Sequence, residues 1–579
     1  MIEGHGADRI PLAIGVTSHR NIPAAEITAI RSRVRDCLAR LARQYPELPL
    51  TVVSALAQGG DQLVAEEALA AGARLVAVLP MDRAQYAQDF LDPADHARFD
   101  ALCARAEIIE LPRIAGNSLD DADKAPTGAE RDRHYAQAGV YISSHCHVLL
   151  AIWDGKASPR LGGTAQTVEY HLFGTRPASA ERRRTRSGYA PLNTDIERLC
   201  YHIVSSREGA DGAPAAPLRA LDTFWRVGDR ATPGTEPMPE PFRAAFANMT
   251  EFNADWDKYR AEIDAKTALR FAHTAGTATP PNMIHTLFQA ADWLAIHFQR
   301  RVYFAMRAIY TVAALMGVAF MCYADFPAQD YMIFVFLALF AFGGGMSLLA
   351  RRRGWHRKYL DYRALAEGLR VQSYWRRAGL SVTADSEFAH DNFLQKQDIE
   401  LGWIRNAMRS AGLEAELARA PRDPHALARV IDEWIGQPGG SGQWNYYERR
   451  AAQRARLHHV TETLVDISLW LGIAISIFLA VFVLHLSQDT KTALVAIMAS
   501  MSIVAAVREA YAYRKADKEL IKQYRFMCRI YANARTALDR AKSPAEQREI
   551  LRALGEAALA EHAEWTLMHR ERPLEHARI

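Results

Sequence analysis

Residues 162–169 read Gly-Gly-Thr-Ala-Gln-Thr-Val-Glu. Two glycines ahead of a helix start let a backbone approach an anion closely, and the unpaired N–H groups of the first helical turn point at it. Glu169 adds a carboxylate that could transfer a proton or accept ribose hydroxyls. Two further clusters have a similar makeup. Gly15, Thr17, His19 and Arg20 lie in AIGVTSHR, and Gly59, Gly60 and Asp61 lie in LAQGGDQLV. Arg20 suits a phosphate, and Asp61 or Glu169 suits ribose hydroxyls. Together with Gly162, Gly163 and Thr164, these residues form a candidate site for a nucleotide-type small molecule. Glycines that serve only tight turns are the competing explanation.

The elements that must position these clusters are legible as apolar runs. Ile10–Val16, Leu50–Leu56 and Val148–Trp153 read as strands, each followed by one cluster. Ala73–Pro80 and Ala106–Leu111 add two more. Helical spacing fills Ala24–Tyr45, Gln62–Ala71 and Glu130–Ser144, whereas residues 112–130 read as a polar loop. Alternating strands and helices over about 200 residues predict an α/β, doubly wound, mostly parallel sheet. In such a sheet the three turns can gather at one edge, around the point where strand order reverses.

Composition narrows the function. A chain of 579 residues is too long for one core. A net charge of +4 gives no reason to expect nucleic acid as a partner. The six cysteines are scattered without a CxxC pair, which fits reduced thiols and neither a disulfide framework nor a zinc ribbon. The first residues, MIEGHGADRIPLAIGV, are not expected to act as a signal peptide.

GVTSHR, LAQGGDQLVAEEAL with ARLVAVLP, ERDRHYAQAG, and LLAIWDG with GGTAQTVE resemble, in that order, the SLOG superfamily. Within it they resemble the prokaryotic branch related to the N-terminal domains of TRPM channels. The resemblance covers roughly residues 9–205 and implies a Rossmann-like fold that binds a nucleotide or an NAD-derived ligand. The LOG-type phosphoribohydrolases of the superfamily carry PGGxGTxxE. Gly162, Gly163 and Glu169 keep that register, but Ala165 and Gln166 replace the later Gly-Thr, and Leu161 stands where the proline would be. The departures weigh against hydrolysis and leave binding intact.

The second half is of a different kind. Ala308–Ala324, Tyr331–Ala350, Ile467–Gln488 and Thr492–Val507 contain no Asp, Glu, Lys or Arg. Their lengths approach the roughly 20 residues needed to cross a bilayer, and snorkelling flanks or local thinning extend the shorter ones. Residues 325–330 and 489–491 are expected to turn the chain, giving an α-helical membrane region with two transmembrane hairpins. Arg300, Arg301, Arg307, Arg351–Arg353, Arg454, Arg456, Arg508, Arg514 and Lys515 flank the spans on the side away from those turns. The positive-inside rule then places the N-terminal domain and the C-terminus in the cytoplasm, in a cell inner membrane. Each hairpin precedes a basic stretch and a helical pattern, and Tyr362-Arg363 and Tyr524-Arg525 are candidate equivalents. Each half resembles the two-span SLATT modules, a family thought to act as membrane effectors in bacterial conflict systems.

The expected divisions are 9–205 for the ligand domain, 206–300 for a linker and helical region, 301–377 for the first hairpin, 378–457 for a helical insert, 458–541 for the second hairpin, and 542–579 for a helical tail. Gly209–Pro217 and Ala231–Pro241 read as linkers, and Phe242–Lys266 and Pro281–Arg300 as helices. The leading expectation is a homo-oligomeric membrane effector that senses its ligand in the cytoplasm and triggers the spans. A membrane-anchored hydrolase using Glu169 and an anchored scaffold are the alternatives.

Overall fold

A computed structural model describes residues 9–112, 128–174, 198–209, 211–273, 282–380, 393, 401–417, 425–437 and 439–570. Most of the expected loop at 112–130 lies outside these. The chain divides into two compact units, Met1–Ala290 with Gly368–Arg422 and Ala291–Glu367 with Asp423–Ile579. The divisions therefore differ from those read in sequence. Residues 206–290 belong with the sheet, the stretch 378–457 is split between the units, and the helices Met283–Asp325 and Trp355–Arg377 each run from one unit into the other.

The first unit is built on one mixed sheet of eight strands. β1 (Leu12–Ser18), β2 (Leu50–Ser54), β3 (Arg74–Leu79), β4 (Glu107–Glu110), β5 (Val148–Trp153) and β6 (Leu199–Val204) are parallel, and β7 (Thr223–Val227) and β8 (Arg230–Pro233) are antiparallel. The order is β4-β3-β2-β1-β5-β6-β7-β8. The chain thus travels outward from β1 to β4, returns beside β1 as β5, and travels outward on the other side. β1, β5 and β6 are buried along their whole length, as expected of central strands in a parallel sheet.

The intervening helices are α1 (Ala24–Gln44), α2 (Gly60–Ala70), α3 (Arg83–Ala87), α4 (Pro93–Cys103), α5 (Gly128–His145) and α6 (Thr164–Phe173). α7 (Glu240–Lys258) and α8 (Arg260–His273) follow the sheet, so the single helix expected over Phe242–Lys266 divides at Tyr259. Of the linkers expected at Gly209–Pro217 and Ala231–Pro241, the second is in part a strand and begins inside the sheet, and the first is a loop held to its neighbours. Residues 230–233 form β8, and the loop after β6 is tied down by Arg207 N–H to Gly212 O (2.8 Å) and Ala215 N–H to Asp154 O (2.8 Å).

Three strands' amino ends are covered by a helix from far along the chain. α11 (Trp355–Arg377) ends in the first unit, and α12 (Gly402–Leu417) buries Trp403, Ile404, Ala407, Met408, Ala411 and Leu413 there. Neutral His147, pushed down to about 3 by burial, joins the layers. Its Nδ1 accepts the Ala13 N–H at 3.1 Å, and its Nε2 donates to Asn406 O at 3.0 Å. Arg74 at the start of β3 pairs with Glu107 and Glu414.

The second unit is helical: α9 (Met283–Asp325, from Ala291 onward), α10 (Met332–Arg352), the first part of α11, α13 (Ala426–Val430), α14 (Gln443–Phe482), α15 (Gln488–Arg514), α16 (Asp517–Arg540) and α17 (Pro544–Arg570). Among the described residues, four helices are long and apolar enough to cross a membrane, and they contain the four expected spans in order. Two details differ. The helix expected at 281–300 and the first span are one helix, α9. The third span stops at Phe482, because Ser487 caps α15 by accepting the Thr490 N–H at 3.2 Å, which puts Asp489 in a favourable first-turn position. Residues 489–491 are therefore helical, and the chain turns at 483–487. Gly343 meets Val312 of α9, Gly317 meets Ile503 of α15, and Gly472 meets Met498, so small residues mark close helix approach. Gly344 and Gly345 face open space. The proposed equivalents differ in setting: Arg363 pairs with Asp292 at 3.2 Å, whereas Arg525 is exposed.

Candidate functional site

The three clusters meet at the carboxyl ends of β1 and β5, where strand order reverses. Backbone hydrogen bonds do most of the joining. The His19 N–H donates to Ile152 O (3.0 Å), fixing the end of β1 against β5. The Gly60 N–H donates to His19 O (3.2 Å), which brings the start of α2 under the first turn. Thr164 Oγ1 donates to Ser18 O (2.6 Å), which brings the start of α6 to the same place.

The glycines divide by what surrounds them. Gly59 has φ +93° and ψ −123°, a region essentially confined to glycine, and a Cβ there would lie 2.2 Å from Arg20 O. A Cβ on Gly60 would lie 2.7 Å from the Ser18 side chain. Gly162 has φ +76° and rests on α5, where a Cβ would come within 2.8 Å of Asp132 O. Gly59 and Gly60 hold turn against turn, and Gly162 holds its turn against α5. Gly15 is corrected outright as a ligand contact: it lies inside β1, where a Cβ would press on Cys146 and Ile142 at under 3 Å. Thr17 is likewise buried within the strand. Gly163 alone has room, since the nearest atom to a Cβ is Arg160 O at 3.5 Å. It precedes α6 in an ordinary extended conformation, with the N–H groups of Thr164, Ala165 and Gln166 in the first turn beyond it.

The charged candidates also separate. Asp61 is 4% exposed and accepts from Ser18 Oγ at 2.6 Å, with Ser54 Oγ 3.5 Å from its other oxygen. Burial raises its pKa to about 6, against the lowering effect of Ser18, Ala57 and Arg20. Its carboxylate links β1, β2 and α2, which corrects the expectation that it takes ribose hydroxyls. His19 is held neutral by burial, which outweighs Asp154, so its Nε2 accepts the Asp154 N–H at 3.1 Å. Asp154 Oδ1 then accepts from the Lys156 N–H at 3.0 Å, and Arg207 stands 3.8 Å from Oδ2. Arg20 is exposed and lies over the Tyr135 ring, 5.7 Å from its centre. Tyr135 and Arg131 of α5 both bond Asp89. Glu169 is exposed on α6.

Among the described residues, the groups at this edge that are neither buried nor spent on turn packing are the α6 N-terminus with Gly163 and Thr164, Arg20 and the Tyr135 ring. Asp154, Arg207 and Tyr135 belong to this neighbourhood and went unassigned in sequence, although Asp154 directly follows a strand that was read correctly. Among the described residues, no group of three or more His, Cys, Asp or Glu side chains is placed to hold a metal.

No family model matches the chain. Two curated relatives share a short stretch with it: the dihydroorotate dehydrogenases (quinone) of Xanthomonas campestris pv. campestris strains B100 and 8004. Each is 41% identical over 75 residues, 12% of this chain and 21% of the relative. The chain thus spans about a fifth of the length of the curated relatives it matches, and this stretch has no bearing on the SLOG and SLATT resemblances.

Proposed function

We propose that this chain is a membrane effector whose N-terminal α/β unit, a Rossmann-like doubly wound fold, senses a nucleotide or NAD-derived ligand and triggers the membrane region. One observation carries the reading. An open helix N-terminus, an exposed arginine and an aromatic face share the carboxyl edge of the sheet at its reversal point, in a chain that also has four helices of membrane-spanning length and composition. Open α/β sheets bind ligands at this place, and anions suit helix N-termini. Arg20 would meet phosphate, Tyr135 and Arg20 would border the base or sugar, and Thr164 would line the turn.

In this reading the four spans form two hairpins in a cell inner membrane, with both chain ends in the cytoplasm and several copies around an axis. Bacterial conflict or stress response is the expected setting. A ligand drives the spans only to the extent that it binds two states of the protein unequally.

The test is thermal unfolding of the detergent-purified chain with ADP-ribose, NAD, mononucleotides and cyclic oligonucleotides. A ligand of the folded state raises the melting temperature by mass action, and the rise should vanish in Gly163→Trp. Absence of any rise in folded protein, or a rise that survives Gly163→Trp, overturns the assigned site. Turnover of a ligand lost in Glu169→Ala would instead make the chain a hydrolase.

A further inference from the structure

An open cleft lies within the second unit, where the ends of α10 and α15 and the start of α11 meet the middle of α9. One wall is apolar, formed by Val302, Met306 and Ile309 of α9 and Ala350 of α10. Trp355, His356 and Arg514 also line the cleft. Burial, reinforced by His569, Arg570 and Arg514, pushes His356 down to about 4, so its ring is neutral near pH 7 and Arg514 is the cation of the cleft. Arg514 is adjacent to the Tyr310 hydroxyl. The exposed Arg351, Arg352 and Arg353 end α10 nearby in sequence.

We infer that this cleft binds one anionic phospholipid, its acyl chain along Met306, Ile309 and Ala350 and its phosphate at Arg514. The inference rests on the reading of the four helices as bilayer spans. That reading puts the cleft at the cytoplasmic boundary, where basic pockets between spans favour acidic head groups and Trp and Tyr sit at head-group level. A free phosphate would have no use for the apolar wall. A neutral lipid would have no use for Arg514, the one arginine among the described residues that line the cleft.

The experiment is native mass spectrometry of the full chain in detergent, incubated with phosphatidylglycerol, with phosphatidylcholine of the same acyl chains, or with glycerol phosphate. The expected result is one retained phosphatidylglycerol per chain, favoured about tenfold over phosphatidylcholine, with no retained glycerol phosphate. Arg514→Gln should weaken retention about tenfold, and Ala350→Phe, which fills the cleft without changing charge, should do the same. Arg352→Gln, at an exposed arginine outside the cleft, should leave retention unchanged. Equal retention of the two phospholipids, retention of glycerol phosphate, or an equal loss in Arg352→Gln overturns the site. So does an Ala350→Phe chain that retains lipid but no longer self-associates, because a second copy would then be the occupant. Carbonate extraction separates this from the parent reading. A chain released from membranes overturns the spans themselves, whereas a chain that stays but holds no phosphatidylglycerol overturns the lipid site alone.

Discussion

The carboxyl edge of the sheet and the surface of the four long helices deal with polar backbone in opposite ways. At the sheet edge, three turns bond to one another through His19, Gly60, Thr164 and Ser18, and the glycines exist mainly to let those backbones touch. In the helices the backbone satisfies itself, so the side chains are free to face outward. Phe334 is 71% exposed, Trp470 69% and Val481 66%, values that an aqueous surface of this extent would not sustain. In the proposed reading, exposure therefore means different things in the two units: a site at the sheet edge, and in the helices a side whose solvent is lipid.

The largest break in this contrast should come from Gly59→Val. The glycine-only backbone angles and the Cβ 2.2 Å from Arg20 O predict a loss of about 4 kcal/mol or more, measured by denaturant unfolding. Next is Leu337→Arg. Leu337 is 53% exposed, and on an aqueous surface the change would cost within about 0.5 kcal/mol. In a bilayer it should cost about 3 kcal/mol and deplete the membrane-inserted fraction, read by carbonate extraction.

Asp61→Asn has a pH signature. The folded carboxyl titrates at about 6 against an ordinary 3.8, so between those values the folded state holds a proton that the unfolded chain has released. Stability from this group is full below about pH 4 and falls as pH rises to about 6. The variant should flatten that slope, by about 3 kcal/mol across the window, in melts taken at a series of pH values. The smallest effect on folding belongs to Gly163→Trp, expected to stay within about 0.5 kcal/mol of the parent while ligand-induced stabilisation disappears. A large destabilisation there would move Gly163 into the company of Gly59 and Gly60.

Much of this arrangement was legible in sequence, and the reasons for the rest are physical. Apolar runs such as Val148–Trp153 declare themselves because central parallel strands are buried on both faces. The turn glycines were visible, but composition does not distinguish a glycine that admits a ligand from one that admits another turn. That distinction depends on Ser18 and Arg20 being adjacent to Gly59 and Gly60, a contact between segments some forty residues apart. Asp61 looked like a ribose acceptor until its serine partners were placed. β7 and β8 were hidden because antiparallel edge strands among Gly and Pro carry little apolar signal, and β8 itself ends in Pro233. The spans, by contrast, need no partner to be recognised, and only their ends shifted, where the Ser487 cap outweighs hydropathy.

The position of α12 has a consequence for how the protein is made. Its buried face completes the underside of a sheet whose strands were synthesised long before it, and roughly a hundred residues, including two spans, emerge between Ala290 and Gly402. At about 5–20 residues per second, that leaves the amino edge around Ala13 and His147 uncovered for about 5–20 s on the ribosome. During that interval the sheet unit lacks the helix that covers its amino edge, and in the proposed reading its completion follows synthesis of the first two spans.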